Sequence, residues 1–216
     1  MGGIIPSLLW LWFWLKEEEK PEPKLLLTII FIMGMAAVVI AFPIEKFILA
    51  HLNSQTVQII LWSSVEEILK YLAVLIVIYK TNNDREPIDW PIYLITAALG
   101  FAALENMLFL VKPFGINQAT VALLTGQLRF LGSTLLHTVA SGTIGIAIGI
   151  SFFMDNFKKK TFLLVGFLLA IALHSTFNFF IIRNEGNDFL KVSAFLWVVA
   201  IIIMLLFEKV RRMSED

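Results

Sequence analysis

Residues 63–80 read SSVEEILKYLAVLIVIYK, which places Glu66, Glu67 and Lys70 inside a run otherwise as apolar as a membrane span. The rest of the chain gives the reason to read it as one. Of 216 residues, 58% are hydrophobic and 13% aromatic, and the mean hydropathy of +0.82 lies outside the range of soluble domains. The formal net charge is zero, with 17 basic and 17 acidic residues, so bulk charge calls for no nucleic acid and no acidic partner. The chain has no cysteine, which excludes disulfides, thiolate metal sites and a cysteine nucleophile. Its apolar start lacks a basic leader and an A-x-A-like cleavage site, and is expected to be a retained helix.

The hydrocarbon core of a bilayer, about 30 Å thick, takes about 20 helical residues to cross. Seven runs come close to that, near residues 1–15, 25–42, 57–79, 88–111, 127–153, 161–182 and 189–207. The first is short, but Trp10, Trp12 and Trp14 beside Lys16 suit a helix end in the headgroup layer. Between the runs lie KEEEKPEPK, a Pro-bearing stretch with His51, KTNNDREP, KPFGINQ, DNFKKK and RNEGND, which carry the charges and breakers of loops. No linker is long enough to divide the chain. The expected architecture is one all-α domain over 1–216, a polytopic helical bundle of about seven spans with its core motifs in 57–182.

Orientation follows from the basic residues, because cytoplasmic loops keep them. Lys16, Lys20, Lys24, Lys80, Arg85, Lys158, Lys159, Lys160, Lys209, Arg211 and Arg212 fall on one side, and Lys46, Lys112, Arg183 and Lys191 on the other. Eleven against four predicts a multi-pass protein of the cell membrane with its N-terminus outside and its C-terminus inside. The run at 158–160 is then a topological anchor that needs no nucleic-acid partner, and His51 is a surface residue.

Two basic residues remain within spans, Lys70 and Arg129, together with Glu66, Glu67, Glu105, His137 and His174. Each intramembrane charge costs roughly 2.5–3.5 kcal/mol, so such groups face a bundle interior and a partner. Counting from the expected outer helix ends, Glu66 lies about 14 Å deep, Glu105 about 9 Å, His137 about 15 Å, His174 about 12 Å and Asn178 about 6 Å. Four helices thus deliver polar groups to one layer, with Lys70 deeper and Arg129 at the rim. At about 100° per residue Lys70 falls between Glu66 and Glu67 and can pair with either. Ser133, His137, Ser141, Gly145 and Gly149 recur every four residues, as do Gly166, Ala170, His174 and Asn178, which puts both histidines on small-residue faces suited to close packing. Taken singly, each feature also has a structural reading. Glu66, Glu67 and Lys70 can be a register-fixing ion pair, Glu105 and Asn106 interhelical glue, each histidine a satisfied core residue, and Arg129 a snorkelling side chain. A shared depth is what those separate readings leave unexplained.

The motifs EEILK (66–70), GFAALEN (100–106), His137 after Arg129, and HSTFN (174–178) resemble, in order, the EExxK, FxxxEN, H and HxxxN motifs of the PrsW-type intramembrane proteases, relatives of the CAAX prenyl proteases. The acidic loop EEEKPEPK is similar to the Pro-Glu-Pro loop of that family, and the resemblance covers about residues 10–182. It implies that Glu66 activates a water, that His174 and Asn178 polarise the scissile carbonyl, and that His137 orients the water or a partner. Glu67 and Glu105 join the catalytic set, with Lys70, Asn106 and Arg129 in support. Glu105 stands where the prenyl proteases carry a histidine.

Elementary chemistry points the same way. Peptide hydrolysis needs a base within reach of a water and donors where the oxyanion forms, and both gain strength in a low-dielectric site. The competing scheme is a zinc site made of Glu66, Glu105, His137 and His174. The metal-free scheme is preferred, because Asn178 is a poor zinc ligand and a credible oxyanion donor. A transporter or channel would also bury Glu, Lys and His, but its polar path should continue through the membrane, and a packing-only scaffold is the third option. The expected partners are the lipid bilayer and a membrane-anchored substrate, with anti-sigma-factor-like regulators implied by the resemblance.

Overall fold

The computed structural model describes residues 4–16, 22–81, 86–114, 119–183 and 189–215, with the side chains of 4–6, 13, 15, 16, 110–114, 119–131, 183, 189, 214 and 215 outside that description. The expectations placed on Lys16, Lys20, Arg85, Lys112, Arg129 and Arg183, and on loop residues 17–21, therefore lie outside the described residues. The described chain is all helix and turn: α1 (Ile4–Lys16), α2 (Lys24–His51), α3 (Gln55–Thr81), α4 (Asp89–Phe114), α5 (Ala119–Ile150), α6 (Asn156–Arg183) and α7 (Phe189–Glu215). Five stretches, Lys24–His51, Asp89–Phe109, Gly132–Ile150, Asn156–Ile182 and Leu190–Met213, are long and apolar enough to cross a membrane. α1 has 13 residues, and α3 carries its three charges at mid-length. The molecule is a multi-pass integral membrane protein.

One difference from the sequence reading is that α2 runs straight through Pro43 to His51, where a break was expected. A proline inside a helix removes one backbone donor, and surrounding helices in a membrane protein absorb that loss.

α4 and α5 form the centre. From Asp89 to Ala103, α4 is buried on every face, with Tyr93, Leu94, Ile95, Ala97 and Leu99 fully so. A helix apolar all round is stable only when surrounded, and α4 packs against α1, α2, α3 and α5. α5 in turn packs against α6 and α7. On the outer helices, Val39, Ile40, Leu168, Leu169, Ile201 and Leu205 are exposed, an apolar ring of the kind lipid covers.

Glycines set the approach distances. A Cβ on Gly34 would meet the Ala97 carbonyl, and one on Gly100 the Phe31 carbonyl, so α2 and α4 cross backbone to backbone. A Cβ on Gly145 would lie 2.5 Å from Pro91 Cα, one on Gly149 2.6 Å from the Pro87 carbonyl oxygen, and one on Gly166 2.8 Å from Ala147 Cβ. The small-residue stripes read from the sequence are thus contact faces. They also fix an antiparallel register for α4 and α5, which passes from Gly149 beside Pro87 through Gly145 beside Pro91 to Ser133 beside Glu105. α3 and α6 are antiparallel too, with Glu67 level with His174 and Tyr71 level with Phe167. At the other end of α6, Asp155 caps the helix by accepting from the Phe157 and Lys158 backbone N–H groups, and the Lys158 contact holds its carboxyl below the usual carboxylate range.

Candidate active site

α3 offers Glu66, Glu67 and Lys70 on one face, all buried. α4 brings Glu105 and Asn106, α5 brings Ser133, Thr134, His137 and Ser141, and α6 brings His174. The three glutamates, both histidines and Lys70 meet in a single cluster.

Glu67 is sealed in its centre. Its Oε1 accepts from Lys70 Nζ at 2.5 Å and from His174 Nδ1 at 2.8 Å, while its Oε2 accepts from Ser141 Oγ at 2.6 Å. It has no solvent exposure. Buried charges survive when paired and hydrogen-bonded on all sides, and this carboxylate is. Lys70 also sits 4.6 Å over the Phe101 ring, which adds a cation–π contact to the same ammonium.

Lys70 fixes the tautomer of His137. An ammonium has only donors, so Nδ1 of His137, 2.9 Å from Lys70 Nζ, must be the acceptor. The ring hydrogen is then on Nε2, which donates to Glu105 Oε2 at 2.9 Å. Ser133 Oγ donates to that same oxygen at 3.3 Å, and Asn106 Nδ2 donates to Thr134 Oγ1 at 3.3 Å, tying α4 to α5. On the opposite wall, Nδ1–H of His174 donates to Glu67, which leaves its Nε2 with a lone pair. The two imidazoles stand edge to face, 5.0 Å between centroids.

The remaining carboxylate is different. Glu66 Oε2 is buried and has no hydrogen-bond partner among the described residues. Three nitrogens surround it just beyond bonding distance: His174 Nε2 at 3.7 Å, His137 Nδ1 at 3.8 Å and Lys70 Nζ at 3.9 Å. A buried polar atom without a partner is costly. The gap between it and these three nitrogens has the chemistry to bind one small polar species.

That species can be a metal by donor type. Ligand atoms of Glu66, His137 and His174 all lie within 4.8 Å of one another. Each histidine is also backed by a carboxylate on its other nitrogen, the arrangement that orients metal-binding imidazoles. Glu105 is not in this group, because it lies behind His137 on Nε2. Lys70 works against a dication, since its ammonium points at the lone pair of His137 that a metal would use.

Other expected residues are placed less centrally. Asn178 lies one turn beyond His174, half-buried, and its side chain makes no hydrogen bond or ion pair among the described residues. The side chain of Arg129 is outside the description. His51 is exposed, with its ring bonded to the Phe47 carbonyl, as expected of a surface residue. The sequence reading missed Glu45 of α2, half-buried and within electrostatic reach of Glu105, Lys70 and Glu66. Placing Pro43–His51 in a loop hid it, and recognising the helix through Pro43 would have exposed it.

Among known proteins, residues 22–207 match the PrsW family intramembrane metalloprotease model. Over 149 residues the chain is 30% identical to Protease PrsW of Shouchella clausii, which covers 66% of this chain and 63% of the relative. It is 30% identical over 139 residues to Protease PrsW of Oceanobacillus iheyensis, at 63% and 60% coverage, and 28% identical over 134 residues to that of Bacillus subtilis, at 61% and 58%. The chain thus spans about three fifths of the length of these curated relatives. No solved structure matches it.

Proposed function

This chain belongs to the PrsW family of intramembrane metalloproteases, and we propose that it hydrolyses peptide bonds in or near the membrane-anchored segments of other proteins, with Glu66 as the group that takes a proton from the attacking water. The observation that carries this is the unpaired, buried oxygen of Glu66 between two carboxylate-backed imidazoles. Of the three clustered carboxylates, Glu67 has both oxygens bonded, to Lys70, His174 and Ser141, and Glu105 sits behind His137 with its Oε2 bonded to that ring and to Ser133. Among the described residues, Glu66 Oε2 is the buried carboxylate oxygen of the cluster that has no hydrogen-bond partner.

In this scheme a water in front of Glu66 Oε2 gives up a proton to it as its oxygen bonds to the scissile carbonyl carbon. Asn178 supplies amide donors to the carbonyl oxygen as negative charge grows there, and the Lys70 ammonium adds a fixed positive charge a few ångströms away. The proton then passes from Glu66 to the leaving nitrogen as the C–N bond breaks, which yields one carboxyl and one amino terminus. Glu67 and Glu105 are positioning residues that hold His174 and His137 in single tautomers. Anti-sigma-factor-like regulators anchored in the membrane are the substrate class that the resemblance implies.

A second reading is favoured by the donor set and by the description of the family. Glu66, His137 and His174 would hold a zinc ion, which when bound supplies Lewis-acid polarisation of a carbonyl and acidifies its water. For that, Lys70 has to remain with Glu67 and release His137. The test is cleavage of a membrane-spanning peptide by the purified protein in detergent, before and after exhaustive chelation, with metal content measured alongside. The proposal predicts a cut near one end of the span and activity that survives chelation. Stoichiometric zinc that tracks activity establishes the second reading, and failure to cleave any membrane peptide refutes both.

A further inference from the structure

Serine and threonine hydroxyls within helices ordinarily satisfy themselves on the carbonyl four residues back. In this chain Thr28, Ser64, Thr81, Thr96, Thr138, Thr143, Ser151 and Thr161 all do so, at 2.7–3.0 Å. Ser63, next to Ser64 and with no exposure, does not, and its Oγ has no partner. Ser175, next to His174 and 9% exposed, is in the same state.

Of these two hydroxyls, that of Ser63 shares a helix face with the site. Ser63 is three residues before Glu66, a spacing that makes them neighbours on one helix face, with Cβ atoms about 5–6 Å apart. Both carry an unpartnered buried oxygen. The antiparallel register of α3 and α6, Glu67 with His174 and Tyr71 with Phe167, brings Ser63 level with Asn178, which is half-buried and whose side chain has no hydrogen bond among the described residues. So α3 carries two unsatisfied buried oxygens in a row, Ser63 Oγ and Glu66 Oε2, with partly exposed Asn178 of α6 level with the first. Buried polar groups without protein partners are satisfied by ordered water, which itself needs two to four polar contacts.

We propose that Ser63 holds a buried water against Glu66, in a hydrated seam between α3 and α6 that opens at Asn178, and that this seam supplies the molecule consumed in hydrolysis. Ser63 is then a positioning residue for water. The assignment of water to the seam stands on the orphaned hydroxyls alone, whereas its role as a supply rests on the protease reading above.

The test separates the two. Radiolytic hydroxyl labelling generates radicals from local water, and His174, at 1% exposure, is out of reach of bulk solvent. The full chain in detergent should therefore show labelling of His174, reduced several-fold in Ser63→Ala. Peptide cleavage by Ser63→Ala should show kcat lowered roughly tenfold, the worth of one hydrogen bond, with KM and Tm unchanged. Ser63→Cys, nearly isosteric and a weaker donor, should lie between. Unchanged His174 labelling with a raised Tm in Ser63→Ala would mean a dry, merely unsatisfied hydroxyl and overturn the proposal. Labelling that behaves as expected while no form cleaves peptide would retain the water site and overturn its role in hydrolysis.

Discussion

At the scale of single residues, the site divides its three carboxylates by environment. Glu67 is saturated, Glu105 is committed to His137, and Glu66 is left with an oxygen facing the gap. Lys70 underwrites this division, since it is the cation bonded to Glu67. Lys70→Met strands a buried carboxylate and should cost about 3–5 kcal/mol of stability, as removal of one partner from buried pairs does, measured as a fall in the melting temperature in detergent. An unchanged Tm would show that Glu67 does not depend on its partner. Ser141→Ala removes one of the three bonds to Glu67, and is expected to cost about 1–3 kcal/mol and to loosen His174, lowering kcat more than it raises KM. Much of this cluster was legible in the sequence, because membrane-buried charge is expensive enough to announce itself: Glu66, Glu67, Lys70, Glu105, His137 and His174 do meet. The sequence could not reveal who bonds to whom. Ser133 and Ser141 were visible only as members of a small-residue stripe, and the Ser141–Glu67 bond joins residues 74 apart, which helical period alone cannot pair.

At the scale of elements, glycines and hydroxyls decide how the helices meet. The stripe through Gly145 and Gly149 predicted that one face of α5 is closely packed, and the structure supplies the partner: Pro91 at the start of α4 and Pro87 in the turn before it. Gly145→Leu would drive a side chain into backbone that has no rotamer to yield, so a loss of about 3 kcal/mol, the upper end of the usual range for overpacking, is expected, seen as aggregation or a large fall in melting temperature. Wild-type melting would mean that this face is not a helix contact. Gly34 and Gly100 form the comparable contact between α2 and α4. They went unremarked in the sequence because a single glycine per helix has no period. The same limit explains Pro43, since a proline marks a helix end in water but can sit within a helix surrounded by lipid and neighbours.

At the scale of the whole molecule, the bundle surrounds α4 and α5, and the polar cluster lies where α3, α4, α5 and α6 converge. The distribution of lysine and arginine predicts that positions 83 and 158 share a side of the membrane with the C-terminus, and that the N-terminus lies opposite. Reporter fusions at 83 and 158 should both read cytoplasmic, and two external readings would invert the topology and place the site opening on the inner face. Helicity and membrane spans follow from bulk hydropathy, which is why they were readable from composition. The convergence of four helices on one layer was approachable only through depth counting, and their packing order not at all. The account as a whole rests on the free oxygen of Glu66. The measurement that tests it most directly is single-turnover cleavage of a membrane-spanning peptide by purified wild-type protein and by Glu66→Gln, with melting curves of both. The account predicts a loss of at least about 10²–10⁴-fold in rate, the range for removing a general base, with a melting temperature equal to or above that of the wild type. A folded Glu66→Gln protein that cleaves within tenfold of the wild-type rate would contradict it.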